Sequence, residues 1–219
     1  MQVAILLYDR MTALDAIGPY EVLSNVPGFS VQFVAAKAGP VRTDSGALEL
    51  VAARGVEEVA RADVLLVPGG PGDEAVMQDP RLLDWVRRIH ADSQWTTSVC
   101  TGALILGAAG VLRGLRATTY WMERDRLREF GAEPVVARWV EDGKVWTAAG
   151  VSAGIDMALA LVQRVGGDDL SQAVQLAIEY DPRPPFRGGS PESAPPHVVA
   201  LVRSAAAALI AARRGGAAA

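Results

Sequence analysis

Cysteine is almost missing from this chain: Cys100 is the only one in 219 residues. One thiol cannot close an intrachain disulfide, which excludes a disulfide-built secreted scaffold and makes a cytoplasmic location the expectation. Clusters of Lys and Arg are missing too. With a formal net charge of −4 at pH 7, the surface argues against nucleic acid and against an anionic membrane, and a small neutral or cationic ligand fits better. The apolar run from Val3 to Leu7 ends at Asp9 and has no basic segment before it, so it is too short for a signal peptide or a membrane span. Histidine is scarce. His90 falls on the polar face of a helix and His197 opens the last one, so both read as surface imidazoles, with no Cys-His dyad. No Cys, His and carboxylate cluster suggests a metal site. The glycine-rich turn Pro68-Gly69-Gly70-Pro71-Gly72 lacks the Lys-Ser/Thr of a P-loop and the spacing of a dinucleotide fingerprint, so no cofactor is expected.

What is present points to an α/β architecture. Gln2–Tyr8, Ser30–Ala36, Asp63–Pro68 and Trp95–Val99 are continuous apolar runs of strand length, as strands buried on both faces require. Helical patterns alternate with them over Asp15–Val26, Pro80–His90 (apolar Leu82, Leu83, Val86 and Ile89) and Thr101–Ala109. This alternation predicts an open, mainly parallel central sheet with helices on both faces. Arg42–Val51 reads as an antiparallel excursion. Pro134–Val140 and Lys144–Thr147 flank Asp142-Gly143 as a β-hairpin. Ser152–Val165 reads as a helix with Ser152 as N-cap, and Asp168–Glu179 as another. Residues 181–196 carry six prolines and can be neither helix nor central strand; they read as a surface crossover or a lid. An Ala-rich helix over 197–214 follows, stopped by Gly215-Gly216, and Ala217 to Ala219 are expected to fray. Residues 1–219 are expected to form a single domain.

Cys100 stands between the strand pattern ending at Val99 and the helix pattern opening at Thr101, with small Ser98 and Gly102 two positions either side. A tight strand-to-helix turn presenting a nucleophile needs that spacing. The free N–H groups of the helix start should favour thiolate over thiol there; the alternative is a small apolar filler. Two other loops share the carboxyl ends of the strands, where open α/β sheets bind ligands. One leads to Asp15, which could be an acid or only a helix cap. The other is the 68–72 turn, whose glycines allow close backbone approach; since Pro71 has no N–H, Gly70 is the expected oxyanion-type donor. Thr101 adds a second N–H and a hydroxyl, or merely starts its helix. Without histidine, a carboxyl must manage the protons. Asp15 is the candidate, because a carboxyl facing a thiolate has its pKa raised and the pair can share one proton.

Asp15-Ala16-Ile17-Gly18-Pro19, Pro68-Gly69-Gly70, Ser98-Val99-Cys100-Thr101-Gly102 and Ala117-Thr118-Thr119-Tyr120-Trp121 together resemble the ThiJ/PfpI branch of the class I glutamine amidotransferase-like superfamily. Within it, Cys-Thr-Gly at the elbow, aspartate at 15, Gly150-Val151-Ser152-Ala153-Gly154-Ile155-Asp156 and the stretch from Tyr180 to Pro196 are similar to the isocyanide-hydrating members. The resemblance implies a flavodoxin-like fold and hydration of a small neutral isocyanide to an N-substituted formamide. A thioimidate would form on Cys100, with Asp15 as general acid and base. It implies Cys100, Asp15 and Thr101 as catalytic residues, Gly69, Gly70, Gly102, Tyr120, Trp121 and Ser152 around the substrate, and a homodimer. Tyr120 stands where relatives often have histidine. The competing expectations are a glyoxalase or hydrolase of the same superfamily and a cysteine-based oxidation sensor. A helix-turn-helix regulator is disfavoured by length and acidity.

Overall fold

A computed structural model describes residues 1–216, with side chains placed through residue 206. The chain divides into two compact units, Met1–Tyr180 and Asp181–Ala219, and the division falls where the proline-rich stretch begins.

The first unit is built on a seven-stranded sheet. In chain order the strands are β1 (Gln2–Leu6), β2 (Ser30–Ala35), β3 (Gly39–Arg42), β4 (Glu49–Ala52), β5 (Arg54–Gly55), β6 (Val64–Val67), β7 (Trp95–Val99), β8 (Arg116–Ala117), β9 (Glu133–Pro134), β10 (Trp139–Asp142) and β11 (Val145–Ala148). The sheet order is β10-β11-β7-β6-β1-β2-β5, parallel except for β10 against β11. Read through β2-β1-β6-β7-β11, this is the doubly wound order in which the strand sequence reverses between β1 and β6. All four residues of β6 are buried and so are Val3 to Leu6 of β1, which is why these strands read as unbroken apolar runs.

The helices are α1 (Ala13–Ser24), α2 (Asp73–Met77), α3 (Pro80–Asp92), α4 (Gly102–Ala108), α5 (Ala153–Ala177) and α6 (Pro196–Gly216). They cover both faces: α1 packs on α5, while α2, α3 and α4 pack together. The sequence signals of α3 act as expected. Asp79 caps it by accepting from the N–H groups of Arg81 and Leu82, Pro80 follows at the first helical position, and Leu82, Leu83, Val86 and Ile89 are buried with Trp85. The two helices expected over 152–179 form one element broken at Gly167, whose φ of 83° no helix permits.

Several local expectations are corrected. The excursion near Arg42 is the antiparallel pair β3-β4, but Pro134 belongs to β9 against β8 and not to the later hairpin. In that hairpin Asp142 pairs with Val145, so the turn residues are Gly143 and Lys144. Ser152 has helical backbone angles and makes no capping bond. In the second unit, residues 181–195 form neither helix nor strand and α6 begins at Pro196; it runs through Gly215 and Gly216, and the expected fraying at Ala217 to Ala219 lies outside the described residues. Among the described residues no helix is long and apolar enough to cross a membrane.

Candidate active site

The carboxyl ends of β1, β6 and β7 are adjacent, so the three loops singled out in the sequence meet there. The loop after β1 turns at Arg10, with φ of 62°, and enters α1. Thr12 holds the N-cap position without a capping side-chain bond and instead donates its hydroxyl to Asp44 Oδ2 at 2.8 Å. Asp15 is therefore free of capping. Its side chain is fully buried and turned to the 68–72 turn, where Oδ2 accepts the Gly69 N–H at 2.9 Å. Oδ1 is buried and has no hydrogen-bond partner. Burial pushes the carboxyl from 3.8 up to about 7, against the Gly69 N–H and a contact with the Cys100 thiol, both of which lower it.

The glycines of the turn are required by close approach. A Cβ on Gly69 would lie 2.4 Å from the Thr101 nitrogen and 2.9 Å from Cys100 Cβ. Gly70, with φ of 135°, leaves no room beside Met11 and Thr12. The expected donor is reassigned: the Gly70 N–H is spent on Thr101 Oγ1 at 3.0 Å, as the Gly69 N–H is on Asp15. These N–H groups fix the acid and the threonine, and do not point into an open oxyanion site.

Cys100 sits at the elbow with φ of 56°, a left-handed conformation that a non-glycine residue holds only when its surroundings impose it. The restraints are visible. Its N–H donates to Ala149 O at 2.9 Å and Ala148 O at 3.2 Å, and its carbonyl accepts the Thr119 hydroxyl at 2.6 Å. Gly102 lets the elbow close, since a Cβ there would lie 2.1 Å from Val67 O. The backbone N–H groups of Thr101 and Val151 face the sulfur and draw its pKa down. Burial first, then the negative charges of Asp15 and Asp73, push it the other way and leave the thiol well above its usual value. The readily ionised thiolate expected from the helix start is thus overturned by desolvation, and the ground state keeps the proton within the Cys100 and Asp15 pair.

The first 164 residues match the DJ-1/PfpI family. The chain belongs to that family. It is 45% identical over 203 residues to an isonitrile hydratase of Pseudomonas putida, covering 93% of this chain and 89% of that one. A crystal structure of a ThiJ/PfpI family protein from Pseudomonas syringae superposes with a TM-score of 0.90 at 39% identity, covering 94% of this chain and 86% of that one. A deglycase of Pyrococcus abyssi is 31% identical over 153 residues, 69% of this chain and 90% of that one.

In this DJ-1/PfpI site the remaining sequence candidates fall into two groups. Tyr120 is half-buried, its hydroxyl raised first by that burial and then by the nearby Cys100, and has Trp121 edge-on at 5.9 Å between ring centroids; Gly150 makes room for its ring, 2.9 Å from where a Cβ would be. Ser152, in contrast, is turned to Arg138, whose Nη2 donates to its hydroxyl at 3.1 Å. It is the neighbouring Val151, with φ of 40°, whose N–H faces the sulfur. A β-branched residue in that conformation gives no sequence signal. Tyr8 was also missed: its buried hydroxyl donates to Pro68 O at 2.9 Å, bracing the turn. Asp73, buried directly after the turn, was missed as well; an acid closing a Pro-Gly-rich loop at a helix start is a signal that could have been followed. His90 is corrected from surface imidazole to a half-buried one, with Nδ1 2.9 Å from Thr96 Oγ1. His197 is exposed, as expected.

Proposed function

We propose that this DJ-1/PfpI protein hydrates isocyanides to N-substituted formamides, with Cys100 as nucleophile and Asp15 as the carrier of the proton. The observation that carries this reading is a fully buried carboxyl with one oxygen anchored, the other unpartnered, and the only thiol of the chain beside it. The likeness to the P. putida isonitrile hydratase supports it, isonitrile and isocyanide being the same functional group.

The chemistry balances on these two side chains. The sulfur attacks the terminal isocyanide carbon while the thiol proton passes through Asp15 to that same carbon, giving a thioimidate. Asp15, again a carboxylate, takes a proton from water as the water adds to the carbon and passes that proton to the nitrogen. The carbon–sulfur bond then breaks, the hydroxyl proton returns to the pair, and the formamide leaves with thiol and carboxylate restored. The N–H groups of Thr101 and Val151 stabilise the sulfur as it gains negative charge. The small neutral substrate suits a buried site, because it carries no charge to desolvate. The reading includes a protein that works without cofactor or metal, in the cytoplasm and as a homodimer. Exposed Leu176, Phe186 and Leu201 supply apolar surface for the last. A peroxide-sensing role is less well supported, because the buried, mainly protonated thiol is a poor target for oxidants.

Rapid mixing with a simple aryl isocyanide, quenching and intact-mass measurement tests the reading. An adduct of the isocyanide mass on Cys100, followed by formamide release, is expected. The absence of both adduct and formamide would refute it.

A further inference from the structure

Cys100, with φ of 56°, and Val151, with φ of 40°, both hold left-handed backbone. For a β-branched residue that conformation is an outlier, and it persists only where the surroundings impose it. The segment around Val151 is joined to the elbow through the backbone, since the Cys100 N–H donates to Ala149 O at 2.9 Å. The contacts that fix this segment converge on Arg138, the residue before β10. The Arg138 carbonyl accepts the Ala149 N–H at 2.9 Å. Its guanidinium donates from Nη2 to Ser152 Oγ at 3.1 Å and from Nε to Asp156 Oδ2 at 2.5 Å. Asp156 is held in turn by the Tyr180 hydroxyl, which donates to Oδ1 at 2.9 Å. A single residue therefore grips the chain on both sides of Val151: Ala149 before it, Ser152 and Asp156 after it.

We propose that Arg138 is a positioning residue for the nucleophile: its carbonyl and guanidinium clamp the chain from Ala149 to Asp156, holding Val151 left-handed and keeping the acceptor of the Cys100 N–H against the elbow. The Val151 N–H is thereby kept on the sulfur. The side chains of Arg138 and Asp156 are 42% and 25% exposed, and so open an ion pair adds little to stability. Its effect is geometric, because the planar guanidinium offers two donors in a fixed fork, which an ammonium group does not. In its kinetic part the inference rests on the hydration reading above; its effect on the thiol does not.

Arg138→Gln and Arg138→Lys test it, the second keeping the charge without the fork. Arg164→Gln is the control. It also breaks an ion pair joining β10 to α5, Arg164 Nη2 to Glu141 Oε2 at 2.6 Å, and removes a guanidinium lying 5.4 Å from the Trp146 ring centroid, but several turns further along the helix. For each variant kcat and KM for an isocyanide, the rate of alkylation of the only thiol by iodoacetamide at one fixed pH, and the denaturation midpoint are measured. Arg138→Gln is expected to lower kcat about tenfold, the scale of a hydrogen bond to a charged group, with KM changed less than about threefold. Alkylation should slow about threefold as the Val151 N–H leaves the sulfur. Arg138→Lys should fall with Arg138→Gln, whereas Arg164→Gln should keep wild-type kcat and alkylation although it loses at least as much stability. Ser152→Ala, which removes only the acceptor nearest Val151, should show a smaller loss of the same kind and add nothing to Arg138→Gln in the double variant; it keeps the proposal testable if the arginine variants do not fold. Wild-type kcat in either Arg138 variant, an equal kcat loss in Arg164→Gln, or additive losses in the double variant would overturn the proposal. Should wild type fail to hydrate isocyanides, the functional reading falls, while the alkylation rates still decide whether Arg138 positions the thiol: unchanged rates in Arg138→Gln would show that it does not.

Discussion

The Gly69 N–H donates to Asp15 Oδ2 at 2.9 Å, across 54 residues of sequence, and so aims the other carboxylate oxygen at the site. This one bond separates two jobs that an aspartate early in a helix could do. Thr12, not Asp15, holds the N-cap.

Asparagine at position 15 keeps an oxygen for the Gly69 N–H but cannot shuttle a proton. Asp15→Asn is therefore expected to cost well under 1 kcal/mol of stability in chemical denaturation near neutral pH, less than a lost cap, while formamide production falls about 10²–10⁴-fold. Asp15→Glu keeps the proton but adds a methylene where the side chain has no exposed surface. It should impair turnover without abolishing it. Near wild-type turnover in the asparagine variant would remove Asp15 from the mechanism.

The pH dependence follows from the direction of the shifts. With Asp15 held at about 7 and the thiol well above its usual value, the pair carries two protons below about pH 7 and one above it. The singly protonated pair is the reactive form, so kcat should rise with pH through about 7. Stability should run the other way. Between 3.8 and about 7 the folded protein holds on Asp15 a proton that the unfolded chain has lost, so this group's contribution to stability falls as pH rises across that window. Melting curves of wild type and Asp15→Asn, measured across the same range, should diverge, with the wild type losing more.

Cys100→Ala and Cys100→Ser should both abolish hydration, since no second thiol exists. Neither should unfold the protein, because the elbow is held by the Ala148, Ala149 and Thr119 contacts to the backbone and not by the sulfur. Intact circular dichroism with no detectable formamide is the expected pair of results. Residual turnover above the uncatalysed rate in the alanine variant would assign the chemistry elsewhere.

Gly69→Ala should be far worse than an alanine at an open glycine. A Cβ at 69 would meet the Thr101 nitrogen at 2.4 Å, whereas at Gly110 nothing lies within 4 Å. At Gly110 only the positive φ is strained, at about 1–2 kcal/mol. At Gly69 the backbone itself must move, so a loss beyond the roughly 3 kcal/mol upper end of ordinary overpacking should accompany loss of turnover. Equal denaturation midpoints for the two variants would contradict the close approach.

The amino-acid sequence alone determined the α/β class, because unbroken apolar runs at β1 and β6, alternating with helical patterns, can be buried only on both faces. It determined the elbow, because Ser98 and Gly102 bracket Cys100, and it placed Asp15 and the Pro68–Gly72 turn at strand ends. What each N–H points at was decided by the tertiary structure. Gly70 was the expected donor to substrate and instead holds Thr101; Val151, not Ser152, faces the sulfur; Asp73 joins the site unannounced. Those directions depend on φ and ψ in loops distant in sequence, which residue identity constrains weakly. The thiol's pKa is likewise a property of the whole fold. A helix start can be read from sequence, but the desolvation that outweighs it arises only when α1, the 68–72 turn and the segment after β11 close around Cys100.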